Sequence, residues 1–265
     1  AAGFTSDRLD PATVCRYLET GSVPEPFTLL AEARQLPAGH HLTWRSDGAP
    51  ELQRYWEIRF DPPVSPEADP AASTRSALLD SLEHHFVSDV PVGLFLSGGM
   101  DSTALLALAN ATGRRGLHSF SIGVDDAGLD ESGIAARTAA HFGSTHHELK
   151  LDAAAMERRF PEFLRHMDQP GIDGFNTFTV SALAREHGMK VVLSGLGGDE
   201  IFGGYPSFEI VPNLSRWGKL ASALPLPSRS LGAWMEKGMS RPPLRRLGSF
   251  LQQDPTLANA YSSFR

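Results

Sequence analysis

The sequence predicts an α/β fold built on a doubly wound parallel sheet. Three observations lead there. Short apolar runs alternate with helical runs several turns long through the middle of the chain. Two glycine-rich turns, Ser97-Gly98-Gly99-Met100-Asp101-Ser102 and Ser194-Gly195-Leu196-Gly197-Gly198-Asp199, each follow one of the apolar runs. Hydrophobic residues make up 41% of the 265 residues, enough for a sizeable core.

Asp10-Pro11 opens a helix over residues 12–19, with Asp at the N-cap, Pro in the first turn and Gly21 past the end. Residues 41–44 alternate as a strand, and residues 53–58 form a second one across the Asp47-Gly48 turn. A helix and a hairpin over residues 1–60 cannot bury a core alone. Residues 61–70 carry Pro62, Pro63, Pro66 and Pro70 and read as a linker. Residues 71–86 are helical, with Leu78, Leu79, Leu82 and Phe86 on one face.

The alternation then begins. A strand over 92–96 enters the first glycine turn, and a helix over 103–110 leaves it. A strand over 117–124 precedes a helix over 131–142 that turns Ile134, Ala135, Thr138 and Phe142 inward. A strand over 146–151, helices over 153–167 and 177–187, and a strand over 190–193 complete the pattern. Beyond Tyr205 the chain is rich in Pro, Ser and Arg, and the periodicity assigns only short helical patches.

Composition narrows the function. Lys plus Arg number 24 against 31 Asp plus Glu, a net charge of −7, which argues against a nucleic-acid or membrane-surface binder. The single Cys15 excludes an intrachain disulfide and a thiolate metal cluster, and points to a reducing, cytoplasmic setting. No stretch approaches the ~20 apolar residues of a membrane helix, and no signal peptide is present. The chain opens on Ala1 rather than Met, as a fragment or processed product would.

A strand, a turn with two adjacent glycines and a helix start make an anion cradle. The turn's N–H groups face outward, the helix N-terminus adds partial positive charge, and the missing Cβ atoms let phosphate oxygens approach. Ser97 and Ser102 supply hydroxyl donors. Asp101 cannot serve a phosphate directly, but fits if a divalent cation bridges it to the phosphates. The same residues also suit an ordinary βα turn in which Asp101-Ser102 caps the helix. The second turn continues as Asp199-Glu200-Ile201-Phe202-Gly203-Gly204-Tyr205 and again joins glycines to an acid at a strand end. Neither turn is a Walker or dinucleotide fingerprint. Taken together they point to one site in which Asp101 and Asp199 ligate Mg²⁺ between phosphates.

These stretches resemble the glutamine-hydrolysing asparagine synthetase family of the PP-loop ATP pyrophosphatases. The residues that carry the likeness are Ser88-Asp89-Val90-Pro91-Val92-Gly93, the S-G-G-x-D-S loop at Ser97, His118-Ser119-Phe120-Ser121-Ile122-Gly123, Asp130-Glu131-Ser132, His146-His147-Glu148 and the S-G-x-G-G-D-E-x-F-G-G-Y loop at Ser194. The likeness runs from about Leu9 to Pro206. It implies an adenine nucleotide alpha hydrolase-like sheet and an ATP- and Mg²⁺-dependent amidoligase. In that family a carboxylate of aspartate attacks the α-phosphate of ATP, pyrophosphate leaves, and ammonia drawn from glutamine displaces AMP to give asparagine.

Carried onto this chain, the resemblance assigns Ser97, Gly98, Gly99, Asp101 and Ser102 to the pyrophosphate. It assigns Phe95, Ile122, Ser194 and Gly195 to the adenosine pocket, and Asp101 and Asp199 to the catalytic metal. It makes residues 1–60 the tail of an N-terminal-nucleophile glutaminase domain, 61–70 a linker and 71–265 a C-terminally truncated ATP-binding domain. Small-molecule substrates are the implied partners, with a homodimer open for the full-length protein. Cys15, on a helix among apolar neighbours, reads as a packing residue rather than the glutaminase nucleophile.

The chain also departs from the family. Leu196 stands where the family usually has an acid, and leucine can neither take a proton nor stabilise charge. Asp168 and Glu200 are candidate replacements or merely solvated acids. Gln169 replaces a frequent Glu, while Asp173, Asn176 and Thr177 suit substrate contact or helix capping. None of Lys150, Lys190, Lys219 and Lys237 stands in for the family's later catalytic lysine. The pairs His40-His41, His84-His85 and His146-His147 lack ligand spacing and read as structural. Two alternatives follow: a related ligase of the β-lactam synthetase or peptide-cyclase type, and a nucleotide-binding module without turnover.

Overall fold

The computed structural model describes residues 7–59, 69–126, 128, 130–223 and 228–264. Contacts divide the chain into two compact units, Ala1–Ser194 and Gly195–Arg265. The Pro-rich stretch 61–70 lies almost wholly outside the described residues; its last member, Pro70, sits in the first turn of a helix.

The first unit opens with α1 (Pro11–Thr20). Asp10 caps it by accepting from Ala12 N–H and Thr13 Oγ1, and Gly21 ends it with φ 76°, a left-handed conformation that favours glycine. Cys15 on this helix is exposed, against its reading as a packing residue. The strands β1 (His40–Thr43) and β2 (Glu51–Arg54) pair antiparallel across the expected turn, the second starting two residues before the expected 53–58 and ending at Arg54. Helix α2 (Pro70–His85) buries Leu82.

The main sheet follows. Its strands are β3 (Val92–Phe95), β4 (His118–Val124), β5 (Thr145–Leu151) and β6 (Val191–Leu193). They are all parallel and lie in the order β5-β4-β3-β6. The crossovers are α3 (Met100–Ala111), α4 (Ser132–Phe142), and the pair α5 (Ala153–His166) and α6 (Phe175–Glu186).

Period-two alternation sorts the strand side chains between two faces. Leu94 and Leu96 pack on one face with Leu106 of α3 and with Ala135 and Ala139 of α4. Phe120 packs on the other with Val180, Leu183 and Ala184 of α6, and Phe95, Ile122 and Leu149 join it. Helices on both faces make the sheet doubly wound, as the alternation predicted. Ile134 is 45% exposed while Ala139 is buried, so the inward stripe of α4 runs through Ser132, Ala135 and Ala139 instead of Ile134.

The second unit is helical: α7 (Gly198–Phe202), α8 (Ser207–Ala223), α9 (Ser228–Gly238), α10 (Pro242–Leu251) and α11 (Leu257–Phe264). Val211, Phe250 and Ala260 form its buried centre. Helices α9 and α10 meet at Gly232 and Gly248, where a Cβ on Gly232 would lie 2.6 Å from the Gly248 carbonyl. Prolines 242 and 243 open α10, so the Pro-rich composition marks a helix start rather than irregular chain.

Candidate nucleotide site

The strand order places β4 and β6 on opposite sides of β3, so the winding reverses between β3 and β6. Ligands of open α/β sheets bind outside the carboxyl ends of strands at such a reversal. The turn of Ser97, Gly98 and Gly99 leaves β3 there, and Ser194 leaves β6.

The first turn is tightly organised. Leu94 and Leu96 are buried, anchoring its strand side, and the exposed Met100 begins α3. Ser102 is 7% exposed, and its hydroxyl accepts from Ser97 N–H at 3.1 Å while lying 3.0 Å from Ser97 Oγ. Ser97 Oγ accepts from Gly99 N–H at 3.1 Å. Gly98 N–H donates to Glu131 Oε2 at 3.0 Å. A backbone donor of the predicted cradle thus holds an anionic oxygen. Gly99 is the N-cap of α3 and offers no side-chain cap, so the helix start is left to main-chain donors. Asp101 lies in the first turn of α3, half-buried.

The side chains of Phe95 and Ile122 pack into the cluster around Phe120. Ser194 is the last residue of the first unit. Gly195 and Asp199 belong to the second unit and are described within it. There Gly197 (φ 102°) and Gly203 (φ 71°) bracket α7 in left-handed conformations. The Asp199 carboxyl group folds over Gly204, where a Cβ would lie 2.8 Å from its carboxyl carbon. Glu200 accepts from the Tyr205 hydroxyl at 2.8 Å, and Leu196 is 87% exposed. Asp173 accepts from Gly174 N–H, a turn-forming role, and Gly174 rather than Asp173 caps α6. Among the described residues, Gln169 Oε1 is buried without a hydrogen-bond partner.

Among the described residues no three His, Cys, Asp or Glu side chains are placed to hold a metal by themselves. The first turn offers main-chain N–H groups and two hydroxyls, a donor set that fits a phosphate ligand, and Asp101 in the same turn would suit a cation carried by that ligand.

The histidines hold what sequence spacing missed. His147 on β5 stacks on His118 of β4 with centroids 5.1 Å apart, and meets His187 at the end of α6 in a tilted contact at 3.9 Å. His118 Nδ1 and His147 Nε2 share a hydrogen bond of 2.9 Å. On the opposite face His146 bridges the Ser119 and Ser121 hydroxyls. Burial, then the neighbouring imidazoles, push the His147 pKa below its usual 6.5; burial does the same to His146 against the pull of Glu148. Depressed histidines leave stability intact above pH 6.5. As pH falls below that value the unfolded chain binds protons the fold refuses, so stability drops by about 1.4 kcal/mol per pH unit at most for each group. The exposed His84, raised by its hydrogen bond to Asp80, acts in the opposite sense. Urea unfolding between pH 8 and 5 is expected to show this acid limb, and His147→Gln to flatten it; an unchanged limb in the variant would refute the assignment.

The likeness to known proteins is strong. The family model described as asparagine synthase matches residues 73–260. The chain belongs to the asparagine synthase family. It is 32% identical over 254 residues to glutamine-hydrolyzing asparagine synthetase 1 of Bacillus subtilis, covering 95% of this chain and 40% of that protein. Against glutamine-hydrolyzing asparagine synthetase B of Escherichia coli it is 32% identical over 200 residues, 68% of this chain and 35% of that one. Against amidase chyE of Penicillium rubens it is 31% identical over 195 residues, 66% of this chain and 29% of the relative. The chain thus spans two fifths or less of the length of these relatives. No helix among the described residues of this family member is long and apolar enough to cross a membrane.

Proposed function

We propose that this chain is the ATP-binding part of an amide-forming ligase. A carboxylate oxygen of aspartate attacks the α-phosphorus of ATP, the bond to pyrophosphate breaks, and ammonia released from glutamine then takes the acyl group from AMP to give asparagine. The observation that carries this reading is the Gly98 N–H holding an anionic oxygen at the sheet's winding reversal. Ser97, Gly98, Gly99 and Ser102 bind and orient the pyrophosphate; on family motif alone, Phe95, Ile122, Ser194 and Gly195 are assigned to the adenosine. By family motif Asp101 and Asp199 are the ligands of Mg²⁺. When bound, that ion would neutralise charge on the departing pyrophosphate.

The first sixty residues read as the tail of a glutaminase domain. Supporting this, Leu42, Trp44, Leu52, Tyr55 and Trp56 on and around the β1–β2 hairpin are all at least half exposed, more apolar surface than a two-stranded sheet can bury. A second reading has one specific observation behind it: Leu196, exposed and unable to move a proton, stands where an acid is usual. It favours another carboxylate substrate, as in β-lactam synthetases, or a module that binds nucleotide without turnover.

ATP–pyrophosphate exchange in the protein that carries this chain separates these readings. Aspartate-dependent exchange is the expected result. Exchange driven by another carboxylate but not aspartate would reject asparagine as the product, and tight ATP–Mg²⁺ binding by calorimetry without any exchange would select the inactive module.

A further inference from the structure

We propose that Glu131 is an internal competitor for the phosphates, biasing the site toward metal-complexed over free polyphosphate. This rests on the nucleotide reading of the first turn. Three consecutive N–H groups of that turn have side-chain acceptors. Two of these acceptors, Ser102 Oγ and Ser97 Oγ, are neutral hydroxyls within the turn itself. A hydroxyl that accepts from an N–H keeps its own proton, which Ser102 directs at the Ser97 and Gly99 carbonyls at 3.3 and 3.2 Å, and neither hydroxyl sets a negative charge against a phosphate oxygen. The third acceptor differs. Glu131 reaches Gly98 from 33 residues away, and an ionised carboxylate only accepts. A phosphate oxygen seeking the same N–H meets like charge and must displace it.

The approach of Glu131 is built into the fold. A Cβ on Gly98 would lie 2.9 Å from Glu131 Cβ and 3.2 Å from Oε2, so glycine is what lets the carboxylate in. Glu131 is the N-cap residue of α4, and its carbonyl accepts from Ile134 and Ala135 at 3.0 and 3.1 Å. The main chain beneath it is therefore fixed, while its carboxylate makes no ion pair among the described residues. Its carboxylate penalises a ligand in proportion to the charge brought to the turn. Free pyrophosphate and ATP bear the full penalty, their Mg²⁺ complexes less, and adenosine none.

Calorimetry on the full chain tests this with Glu131→Gln, which keeps size and an acceptor oxygen but removes charge. The variant is expected to bind pyrophosphate and ATP in EDTA about fivefold more tightly or better. The gain should shrink with excess Mg²⁺ and vanish for adenosine. Glu131→Ala should shift the same way, because charge rather than the hydrogen bond is the cause. Equal or weaker binding by both variants, with wild type binding normally, would overturn the proposal and make Glu131 a strut of the turn. Failure of the wild type to bind either ATP or pyrophosphate would overturn the nucleotide reading itself, and this inference with it.

Discussion

Gly98→Val is expected to weaken ATP binding by about 100-fold or more while leaving the chain folded. The turn offers its main chain to the ligand, and each charge-assisted hydrogen bond to a phosphate contributes about 1.5–3 kcal/mol. Loss of two such bonds corresponds to a factor of roughly 100 or beyond. Valine at this position brings a Cβ to 2.9 Å from Glu131 Cβ, so either the turn or the start of α4 must give way. Gly99 differs. A Cβ there would meet only Ser97 Oγ, at 3.1 Å, and the backbone (φ −76°, ψ 159°) is open to any residue. Gly99→Ala should therefore lose less affinity than Gly98→Val. Calorimetric titration of both variants, with thermal melts to show that each is folded, checks the order; wild-type affinity in Gly98→Val would remove the turn from the nucleotide site.

The strand–turn–helix unit was legible because its signals are local. Apolar residues at 92–96 bury a strand, the paired glycines follow at once, and the α3 stripe resumes within a turn. Helix α1 was legible for the same reason, with Asp10, Pro11 and Gly21 marking its two ends. Contacts between residues distant in sequence left no such trace. Nothing local ties Glu131 to Gly98, or brings His118, His147 and His187 into one cluster. That cluster depends on the parallel register that pairs Phe120 with His147, which sequence alone does not fix. The α4 stripe slipped because Ile134 is the more apolar residue, yet the small Ala135 and Ala139 are the ones that allow close approach to the sheet. The helices of the second unit were hidden by Pro212 inside α8 and by the prolines opening α10, which compositional reading takes for breakers.

Phe120→Ala is expected to cost about 3–5 kcal/mol of stability, the range for removing a fully buried aromatic ring. Phe120 is 0% exposed on a central strand, and its ring fills the space left above Gly93, where a Cβ would lie 2.9 Å from Cε2. It shares a buried cluster with Val180, Leu183 and Ala184 of α6, and its centroid lies 5.1 Å from His147 and 5.9 Å from His187. A sheet between two helical layers has little freedom to collapse into the gap, which places the cost toward the upper end of the range. Phe95 and Ile122, assigned above to the adenosine, pack against the same buried cluster. Two readouts should therefore move together: the urea midpoint falls, and the folded variant binds ATP more weakly than wild type while pyrophosphate binding, which depends on the turn, holds. Phe120→Leu should recover most of the stability by refilling the space over Gly93. A loss below about 1.5 kcal/mol would show that the layers can close over the gap, and unchanged ATP affinity would separate the ring from the nucleotide pocket.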